Sequence, residues 1–470
     1  MSETTDVIVL GVGTCGEDAA LRLLDAGLEV TGIEARLVGG ECAYWACLPT
    51  KSMVRSANLL EEARRADGLI GKVSVEPDWS VVASRLRAEV TGNWNDAPAA
   101  ARFEAKGGRL VRGRGEITGP RTVAVGGVEF EARRGIIIAT GSIAAIPPIP
   151  GLHEVDYWTT REAISAEQLP VSMIVLGGGP VGCELGQVFA RFGVDVTIIE
   201  GSERLLRSEE PEASAVVMDA FADEGIDVLT GVHATSARSD PSGEISISLD
   251  NGGEVRAERL LVATGRRVEL AGLGLESAGI DTSGPVIPVD EHLRAGDRIW
   301  AIGDVTGKGM LTQVALYQGN IAVADILENE TFNSDYTVIP HATFTDPEVG
   351  SVGMTEAQAV AAGMDVDVVL KDVQATFRGW LHRTGNKGLI KLVADRKTGI
   401  LVGASSVGPH GAEVLGMLTV AVRTAAPLDE LVNMIYAFPS FFGGVGEALG
   451  AYGRGLTRVL DPESTPMFDD

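Results

Sequence analysis

The chain is poor in basic residues: 39 Lys and Arg stand against 65 Asp and Glu among 470 residues, which gives a formal net charge of −26. Nucleic acids and anionic membrane surfaces would repel such a protein. No run approaches the roughly 18 consecutive apolar residues of a membrane helix, and the start, MSETTDVIVLG, carries acids where a signal peptide carries basic residues. We therefore expect a cytoplasmic protein with no nucleic-acid and no membrane partner.

Cysteine is also scarce. Four cysteines in a chain of this length cannot form a disulfide framework, so a closely spaced pair predicts redox or metal chemistry. Cys42 and Cys47 form such a pair, in the segment GGECAYWACLPTK. Residues five apart on a helix do not face each other, and disulfide geometry needs close Cα atoms, so we expect Cys42 in the turn that enters a helix. No metal is predicted, because no second Cys or His pair follows at ligand spacing.

Glycine, by contrast, is abundant, with 59 residues that cluster at predicted strand-to-helix junctions. The first cluster, Gly11, Gly13 and Gly16, follows the apolar strand at 6–10, and a second strand ends at Glu34. Such glycines permit a tight turn and close approach of a pyrophosphate, and the acid accepts ribose hydroxyls. Strand, glycines, helix and acid together predict a dinucleotide-binding unit.

A second unit repeats this order, with Gly177, Gly179, Gly182 and a terminal Glu200. Each unit is followed by an apolar strand and Ala-Thr-Gly, in GIIIATGS (135–142) and LLVATGRR (260–267). The repetition predicts two bound dinucleotides or two halves of a duplicated fold. Cys15 and Cys183 lie inside the glycine clusters and are interpreted as small packing residues.

The last third of the chain changes character. From about Thr337, the strands IKLVAD and ILVGASSVG are joined by a turn at 395–399, and the amphipathic helix AEVLGMLTVAVRTA follows. This pattern predicts an α+β domain. The fold prediction is α/β, with two doubly wound, Rossmann-like nucleotide-binding domains and a C-terminal α+β dimerisation domain.

Together these motifs resemble the flavin-dependent pyridine nucleotide-disulfide oxidoreductases, the family of glutathione reductase, dihydrolipoamide dehydrogenase and mercuric reductase. The resemblance covers essentially the whole chain and includes AIGDVTGKGMLTQVA (301–315) and FTDPEVGSVGMTE (344–356). It implies a homodimeric enzyme with FAD, NAD(P)H and a redox-active disulfide. The implied domains are FAD-binding at 1–150 and 288–335, NAD(P)-binding at 151–287, and an interface domain with a C-terminal tail at 336–470.

The resemblance also implies residue roles. Cys47 would be the flavin-side thiolate, Cys42 the interchange thiol that meets the substrate, and Lys51 would lie near the flavin ring. Asp304 would bond the ribitol chain of FAD. The implied cofactor-binding residues are Gly11, Gly13, Gly16, Glu34, Gly40, Lys51, Thr140, Gly141, Ser142, Asp304, Ala315, Gly177, Gly179, Gly182, Glu200 and Gly265.

The choice of nicotinamide nucleotide depends on Glu200. Its carboxylate would bond a free ribose 2′-hydroxyl and repel a 2′-phosphate, which favours NADH. Arg204 and Arg207 follow closely, and the stretch LLRSEE resembles the phosphate-binding region of NADPH-using relatives. The closer carboxylate should outweigh more distant, screened charges, so NADH is favoured over NADPH.

One family feature is missing. Relatives carry a C-terminal His, with a Glu five residues later, that shuttles protons at the interchange thiol across the dimer. Phe438 and Gly443 stand at these positions, and the six histidines are His153, His233, His292, His341, His382 and His410. Without that base, ordinary disulfide exchange is weakened. Trp45, Phe438, Phe441 and Phe442 instead predict an aromatic-lined mouth.

Mercury reduction through a C-terminal cysteine pair is not expected either, because no cysteine follows Cys183. A disordered acidic tail is expected from about Leu456. Three functions stay open: reduction of a non-standard acceptor (a quinone, an electrophile or a small disulfide), oxidation of a dithiol in the reverse direction, and redox sensing without substantial turnover.

Overall fold

The computed structural model describes residues 3–330 and 332–452, and the C-terminal tail expected from about Leu456 lies outside the described residues. The strands, in chain order, are β1 (Glu3–Leu10), β2 (Val30–Glu34), β3 (Arg109–Arg112), β4 (Gly115–Gly119), β5 (Thr122–Val125), β6 (Val128–Ile138), β7 (Ile143–Ala144), β8 (Tyr157–Trp158), β9 (Ser172–Leu176), β10 (Asp195–Glu200), β11 (Asp227–Thr230), β12 (Ala234–Ser239), β13 (Ile245–Leu249), β14 (Glu254–Ala257), β15 (Arg259–Val262), β16 (Arg266–Arg267), β17 (Arg294–Gly296), β18 (Ile299–Ala301), β19 (His341–Thr343), β20 (Glu348–Gly353), β21 (Val366–Asp372), β22 (Leu389–Asp395) and β23 (Ile400–Gly408).

The helices complete the element list. They are α1 (Thr14–Asp25), α2 (Gly40–Tyr44), α3 (Cys47–Arg64), α4 (Trp79–Arg85), α5 (Ala97–Ala105), α6 (Thr160–Ser165), α7 (Pro180–Arg191), α8 (Pro211–Asp223), α9 (Thr312–Ile326), α10 (Glu356–Ala361), α11 (Phe377–His382), α12 (Gly411–Arg423), α13 (Leu428–Val432) and α14 (Gly443–Tyr452). A π-helical turn, Leu86–Val90, follows α4, and a left-handed turn, Gly92–Trp94, comes after it. Within the described ranges, no helix combines the length and the apolar character needed to cross a bilayer.

The chain divides into two compact units. The first comprises Met1–Ser52, Ala83–Ala145 and Gly265–Tyr336, and the second comprises Met53–Val82, Ile146–Thr264 and Thr337–Asp470.

The first unit is built on a sheet in the order β17-β18-β6-β1-β2-β3, and the hairpin β4-β5 extends it by pairing with β6. β1 runs parallel to β2 and β6, as a βαβ unit requires. Side chains of β1 alternate between two apolar clusters: Ile8 and Leu10 join one, and Val7 and Val9 join the other. A strand covered on both faces needs apolar residues in succession, which accounts for the run VIVL.

The second unit contains a parallel sheet in the order β11-β10-β9-β15-β8, the antiparallel sheet β12-β13-β14, and a five-stranded antiparallel sheet in the order β19-β20-β23-β22-β21. The predicted hairpin around 395–399 is confirmed, since β22 pairs antiparallel with β23. The predicted amphipathic helix is α12, which packs Leu415 and Leu418 into the core of the last sheet.

A buried cation cluster ties together distant parts of the second unit. Lys391 of β22 is only 1% exposed. Its Nζ lies 2.9 Å from carboxylate oxygens of Glu210, Glu212 and Glu356. Burial would lower the pKa of Lys391, but the hydrogen bonds to these carboxylates raise it above its usual value. The ammonium is therefore the counter-ion of the buried Glu210.

Removing this cation should destabilise the protein strongly. Lys391→Met leaves Glu210 buried without its counter-ion, and breaking a buried pair in this way costs about 3–5 kcal/mol. Denaturant unfolding measures the loss. The matched control is Lys387→Met, which removes an exposed ion pair with Asp223 and should cost no more than about 1 kcal/mol. Equal losses in the two variants would contradict the assignment.

Candidate active site

Two successive helices carry the cysteine pair. Gly39 and Gly40 both have positive φ, 99° and 67°, and they turn the chain into α2, which contains Cys42. α3 then begins at Cys47. Cys42 therefore precedes the helix that begins at Cys47, as expected, but it lies in a separate helical turn, since only Trp45 and Ala46 between α2 and α3 are not helical. A Cβ on Gly40 would lie 2.7 Å from the Cα of Gly13, so this approach requires glycine.

The two thiols share one hydroxyl. Thr312 Oγ1 donates to Cys42 Sγ over 3.2 Å and lies 3.4 Å from Cys47 Sγ. Thr312 is the first residue of α9. All four cysteines lie in the described part of the chain and are free thiols. The cysteine pair, the start of α3 and the start of α9 therefore converge at one point of the first unit.

The two thiols differ sharply in acidity. A hydrogen bond donated by Cys42 lowers the pKa of Cys47 to about 6, and the Thr312 hydroxyl and the charge of Lys51 act in the same direction against burial. The same bond to Cys47, together with burial, raises the pKa of Cys42. Cys47 also occupies a helix N-terminus, where the helix dipole favours a thiolate. The reduced pair holds one proton, on Cys42, and one negative charge, on Cys47.

The first glycine cluster forms a backbone cradle. Gly11 has φ 96°, and a Cβ there would lie 2.5 Å from the carbonyl oxygen of Ala139. A Cβ on Gly16 would fall inside contact distance of the Gly11 carbonyl oxygen, whereas one on Gly13 would meet nothing closer than 3.7 Å. Gly11 and Gly16 thus allow close backbone packing, whereas Gly13 leaves open space beside the start of α1. This is the space that a pyrophosphate needs.

Glu34 ends β2 beside this cradle. Its Oε2 accepts from the backbone N–H of Val12 over 2.7 Å, and its Oε1 accepts from that of Arg36 over 2.7 Å. Burial raises the pKa of Glu34 above its usual value despite these bonds. The carboxylate is thereby held in one orientation at the end of the strand.

A polar cluster links the first Ala-Thr-Gly element to the Gly-Asp motif. Ser142 Oγ donates to Asp304 Oδ2 over 2.5 Å, and Arg266 Nε donates to Ser142 Oγ over 2.7 Å. Arg266 Nη2 also donates to the Ser142 carbonyl oxygen over 2.7 Å. These bonds bring Ser142 and Asp304, which are far apart in sequence, to one place in the first unit.

The remaining predicted residues of the first unit lie on the turns and helices around this cluster. Thr140 is exposed, Gly141 has φ 70°, and Gly265, with φ 111°, faces open space. Ala315 is buried in the first turn of α9. A bound FAD fits these features: there is open space beside the backbone of Gly13 and Gly265, and hydrogen bonds orient the carboxylates of Glu34 and Asp304.

The second unit repeats the cradle. Gly177 has φ 113°, and a Cβ there would lie 2.5 Å from the Ala263 carbonyl oxygen, while one on Gly179 would meet nothing within 4 Å. A Cβ on Gly182 would fall inside contact distance of the Gly177 carbonyl oxygen. Glu200 accepts from the backbone N–H of Gly178 and of Ser202, each over 2.7 Å. This arrangement fits a second dinucleotide.

The segment around Phe438, where the resemblance places a histidine, lies in the second unit. Phe438 is 74% exposed, and its ring meets Phe377 edge-on at 5.1 Å between centroids. His382 and His410 come near this segment: their rings lie 5.3 and 5.7 Å from that of Phe441. Burial, followed by the charges of Arg378 and His410, lowers the pKa of His382.

The other two cysteines make separate packing contacts. Cys183 is buried, and its thiol donates to the Gly178 carbonyl oxygen over 3.3 Å. Cys15 packs beside Gly303, and burial, followed by the charge of Asp304, raises its pKa to about 12. In the described part of the chain, no three His, Cys, Asp or Glu side chains converge as a metal site would require.

Sequence reasoning missed Thr312 and Arg266. Both lie inside motifs that the resemblance includes, AIGDVTGKGMLTQVA and LLVATGRR. Sequence spacing alone does not show which polar residue of such a motif contacts the site. Their contacts, to the cysteines and to Ser142, arise from tertiary structure.

The Thr312 hydroxyl should contribute to the low pKa of Cys47. A hydrogen bond to a charged group is worth about 1.5–3 kcal/mol, so Thr312→Val should raise the pKa of Cys47 by about one to two units. Iodoacetamide alkylation of the reduced protein measures this pKa, because the rate follows the thiolate, which is present above about pH 6 and lost below it. Thr312→Ser keeps the hydroxyl and should keep the wild-type profile. A Thr312→Val profile identical to the wild type would contradict the assignment.

Comparison with known proteins identifies the family of this chain. Residues 5–319 match the model of the pyridine nucleotide-disulphide oxidoreductase family, and residues 339–449 match the dimerisation domain of that family. A mercuric reductase from Streptomyces lividans is 35% identical over 442 residues, 91% of this chain and 92% of the relative. A dihydrolipoyl dehydrogenase from Bacillus subtilis is 32% identical over 480 residues, 97% of this chain and all of the relative.

A solved structure gives the same result for the fold. The Cu(II) complex of the HOCl-induced flavoprotein disulfide reductase RclA from Escherichia coli is similar with a TM-score of 0.85 and 26% identity, over 96% of this chain and 99% of that one. The predicted family, the α/β fold class and the C-terminal dimerisation domain are confirmed. The chain belongs to the pyridine nucleotide-disulphide oxidoreductases, a family of enzymes that depend on FAD and NAD(P)H.

Proposed function

We propose that this enzyme uses NAD(P)H to reduce the Cys42–Cys47 disulfide and that the resulting dithiol reduces a non-standard acceptor, a quinone, another electrophile or a small disulfide. The main support is the low pKa of Cys47, which lies in hydrogen-bonding reach of Cys42 and Thr312. In addition, Phe438 stands where the resemblance places the catalytic base.

The cofactors would occupy the two cradles. FAD would be held by the turn at Gly11, Gly13 and Gly16, by Glu34, and by the Ser142–Asp304 cluster, and the nicotinamide nucleotide by the turn at Gly177–Gly182 and by Glu200. When bound, FAD supplies the transfer of two electrons between NAD(P)H and the disulfide. The protein contributes position and charge.

The dithiol supplies its own proton acceptor. Cys42 donates its S–H to Cys47, so the Cys47 thiolate can take this proton as Cys42 attacks an acceptor. Thr312 lies within reach of both sulfurs and stabilises whichever one carries the charge. For a disulfide acceptor, Cys42 attacks one sulfur, forms a mixed disulfide and expels one thiolate, which takes the proton now held by Cys47. The Cys47 thiolate then attacks Cys42, closes the Cys42–Cys47 disulfide and expels the second thiolate.

Phe438 argues against the family's usual disulfide substrates. The thiolate of lipoamide or glutathione leaves faster when an acid protonates it, and the family resemblance assigns a histidine to this step. Phe438 is largely exposed and contacts another aromatic ring. An acceptor that expels no thiolate does not need this acid.

Restoring the imidazole should restore disulfide turnover. We expect wild-type protein with NADH to reduce 1,4-naphthoquinone faster than lipoamide or glutathione disulfide, and Phe438→His to raise kcat/KM for lipoamide by about 10²-fold. Steady-state NADH oxidation measures both. Phe442→His adds the same group four residues away and is the control. Fast lipoamide turnover by the wild type, abolished by Cys42→Ser, would contradict the non-standard part of the proposal.

The second unit supports NADH as the preferred nucleotide. Arg204 Nη2 donates to the backbone carbonyl oxygens of Arg207 and Glu209 over 2.9 and 3.1 Å, so its guanidinium holds the loop. Arg207 is exposed. Glu200 stands at the end of β10, where its charge would oppose a 2′-phosphate.

We expect kcat/KM for NADH to exceed that for NADPH by at least about tenfold, since like charges about 4 Å apart repel by about 1–4 kcal/mol. Glu200→Ser should reduce this ratio, and Arg207→Ala should leave it unchanged. Initial rates with each nucleotide and one quinone give the ratio. Preference for NADPH that disappears in Arg207→Ala would overturn the assignment.

A further inference from the structure

A stacked pair of indoles lies beside the cysteines. Trp45 occupies the chain between Cys42 and Cys47, and its ring stacks on that of Trp94, with centroids 5.2 Å apart and planes within 16°. The guanidinium of Arg87 lies over the Trp94 ring, 5.5 Å from its centroid. Both indoles are half-buried. The residue between the redox thiols is thus clamped by a side chain that is distant in sequence.

Trp94 reaches the Trp45 ring through a segment with unusual backbone conformation. The π-helical turn Leu86–Val90 precedes it, and Gly92, Asn93 and Trp94 have φ values of 56°, 58° and 52°. Left-handed conformations are unfavourable for residues other than glycine, and they persist only where the surroundings determine them. π-helical turns are also frequent at functional sites. This irregular segment places one indole against Trp45.

Both ends of the segment are anchored. Thr91 is buried, and its hydroxyl donates to the carbonyl oxygen of Leu86 over 3.0 Å. Asp96 accepts from the backbone N–H of Val38 over 2.7 Å and from Arg112 over 2.6 Å. Val38 directly precedes the Gly39–Gly40 turn into α2. The segment carrying Trp94 is therefore bonded to the same stretch of chain that leads to Cys42.

We propose that Trp94 is a positioning residue for the dithiol: its indole fixes Trp45, and Trp45 fixes the loop that sets the distance between Cys42 and Cys47. The inference rests on the proposed function, in which these sulfurs form and break a bond in every cycle. A disulfide joins sulfurs at about 2.05 Å, and the thiols must separate when it opens. A clamped loop limits that separation and keeps each thiol within reach of the other.

The positioning role of Trp94 can be measured through the pKa of Cys47. The hydrogen bond from Cys42 is the largest cause of the low pKa of Cys47. Releasing the loop should weaken this bond and raise the pKa. It should also lower the effective concentration of one thiol at the other, which makes the disulfide easier to reduce.

The experiment uses the reduced holoenzyme and its iodoacetamide rate against pH. We expect Trp94→Leu to raise the apparent pKa of Cys47 by about one unit, and Trp94→Phe, which keeps a flat ring, to retain most of the wild-type value. Asn93→Gly is the matched control, because it alters the same loop, suits the positive φ and leaves both indoles in place. It should leave the profile unchanged.

Two further measurements separate positioning from general damage. In glutathione redox buffers, Trp94→Leu should shift the thiol–disulfide equilibrium about tenfold towards the thiols. In a double-mutant cycle, Trp94→Leu should add little in a Trp45→Leu background, because Trp94 acts through Trp45. If Trp94→Leu does not fold, Trp45→Leu alone must show both shifts.

The outcomes distinguish the two proposals. Wild-type pKa and equilibrium in a folded Trp94→Leu, or full additivity in the cycle, would overturn the positioning role. Wild-type cysteines that form no disulfide in any buffer would overturn the proposed function, while the alkylation profiles would still decide the positioning role.

Discussion

One shared proton between two thiols is the interaction on which the proposed chemistry of this enzyme depends. Cys42 donates to Cys47, and this bond more than any other makes Cys47 acidic. The bond joins α2 to the start of α3, and the start of α9 places the Thr312 hydroxyl beside both sulfurs. The glycines at 39 and 40 allow α2 to begin where it does, because their left-handed conformations turn the chain within two residues.

The same rule, close backbone approach at glycine, organises both nucleotide cradles. At Gly11 and Gly177 a side chain would collide with a carbonyl oxygen of a neighbouring strand end, at 2.5 Å in each case. Glu34 and Glu200 then bond backbone N–H groups in the same pattern, one bond just after β1 or β9 and one bond two residues downstream of the acid. Two segments distant in sequence thus have the same glycine contacts and the same carboxylate hydrogen bonds, which supports the interpretation of a duplicated unit.

The sequence allowed prediction of the features that depend on local pattern. The strand at 6–10, both glycine turns, the hairpin at 395–399 and α12 all follow from apolar periodicity and turn residues. Long-range contacts were not predictable. Thr312 meets the cysteines across more than 260 residues, and Trp94 reaches Trp45 only through three consecutive left-handed residues, for which GNW offers a single glycine as a signal. Cys42 precedes the helix of Cys47 as predicted, but the sequence does not show that Cys42 lies in a helical turn of its own, α2.

The absence of a histidine at position 438 and the low pKa of Cys47 both bear on which acceptor the enzyme reduces. An imidazole serves the family at two moments, when the interchange thiol loses its proton and when an expelled thiolate gains one. On the proposed function, the first task falls to Cys47, since it accepts the hydrogen bond of Cys42. The second task is faster with an acid beside the leaving sulfur, and Phe438 offers none. The proposed function therefore favours acceptors whose reduction leaves no thiolate behind, which places quinones and other electrophiles ahead of small disulfides.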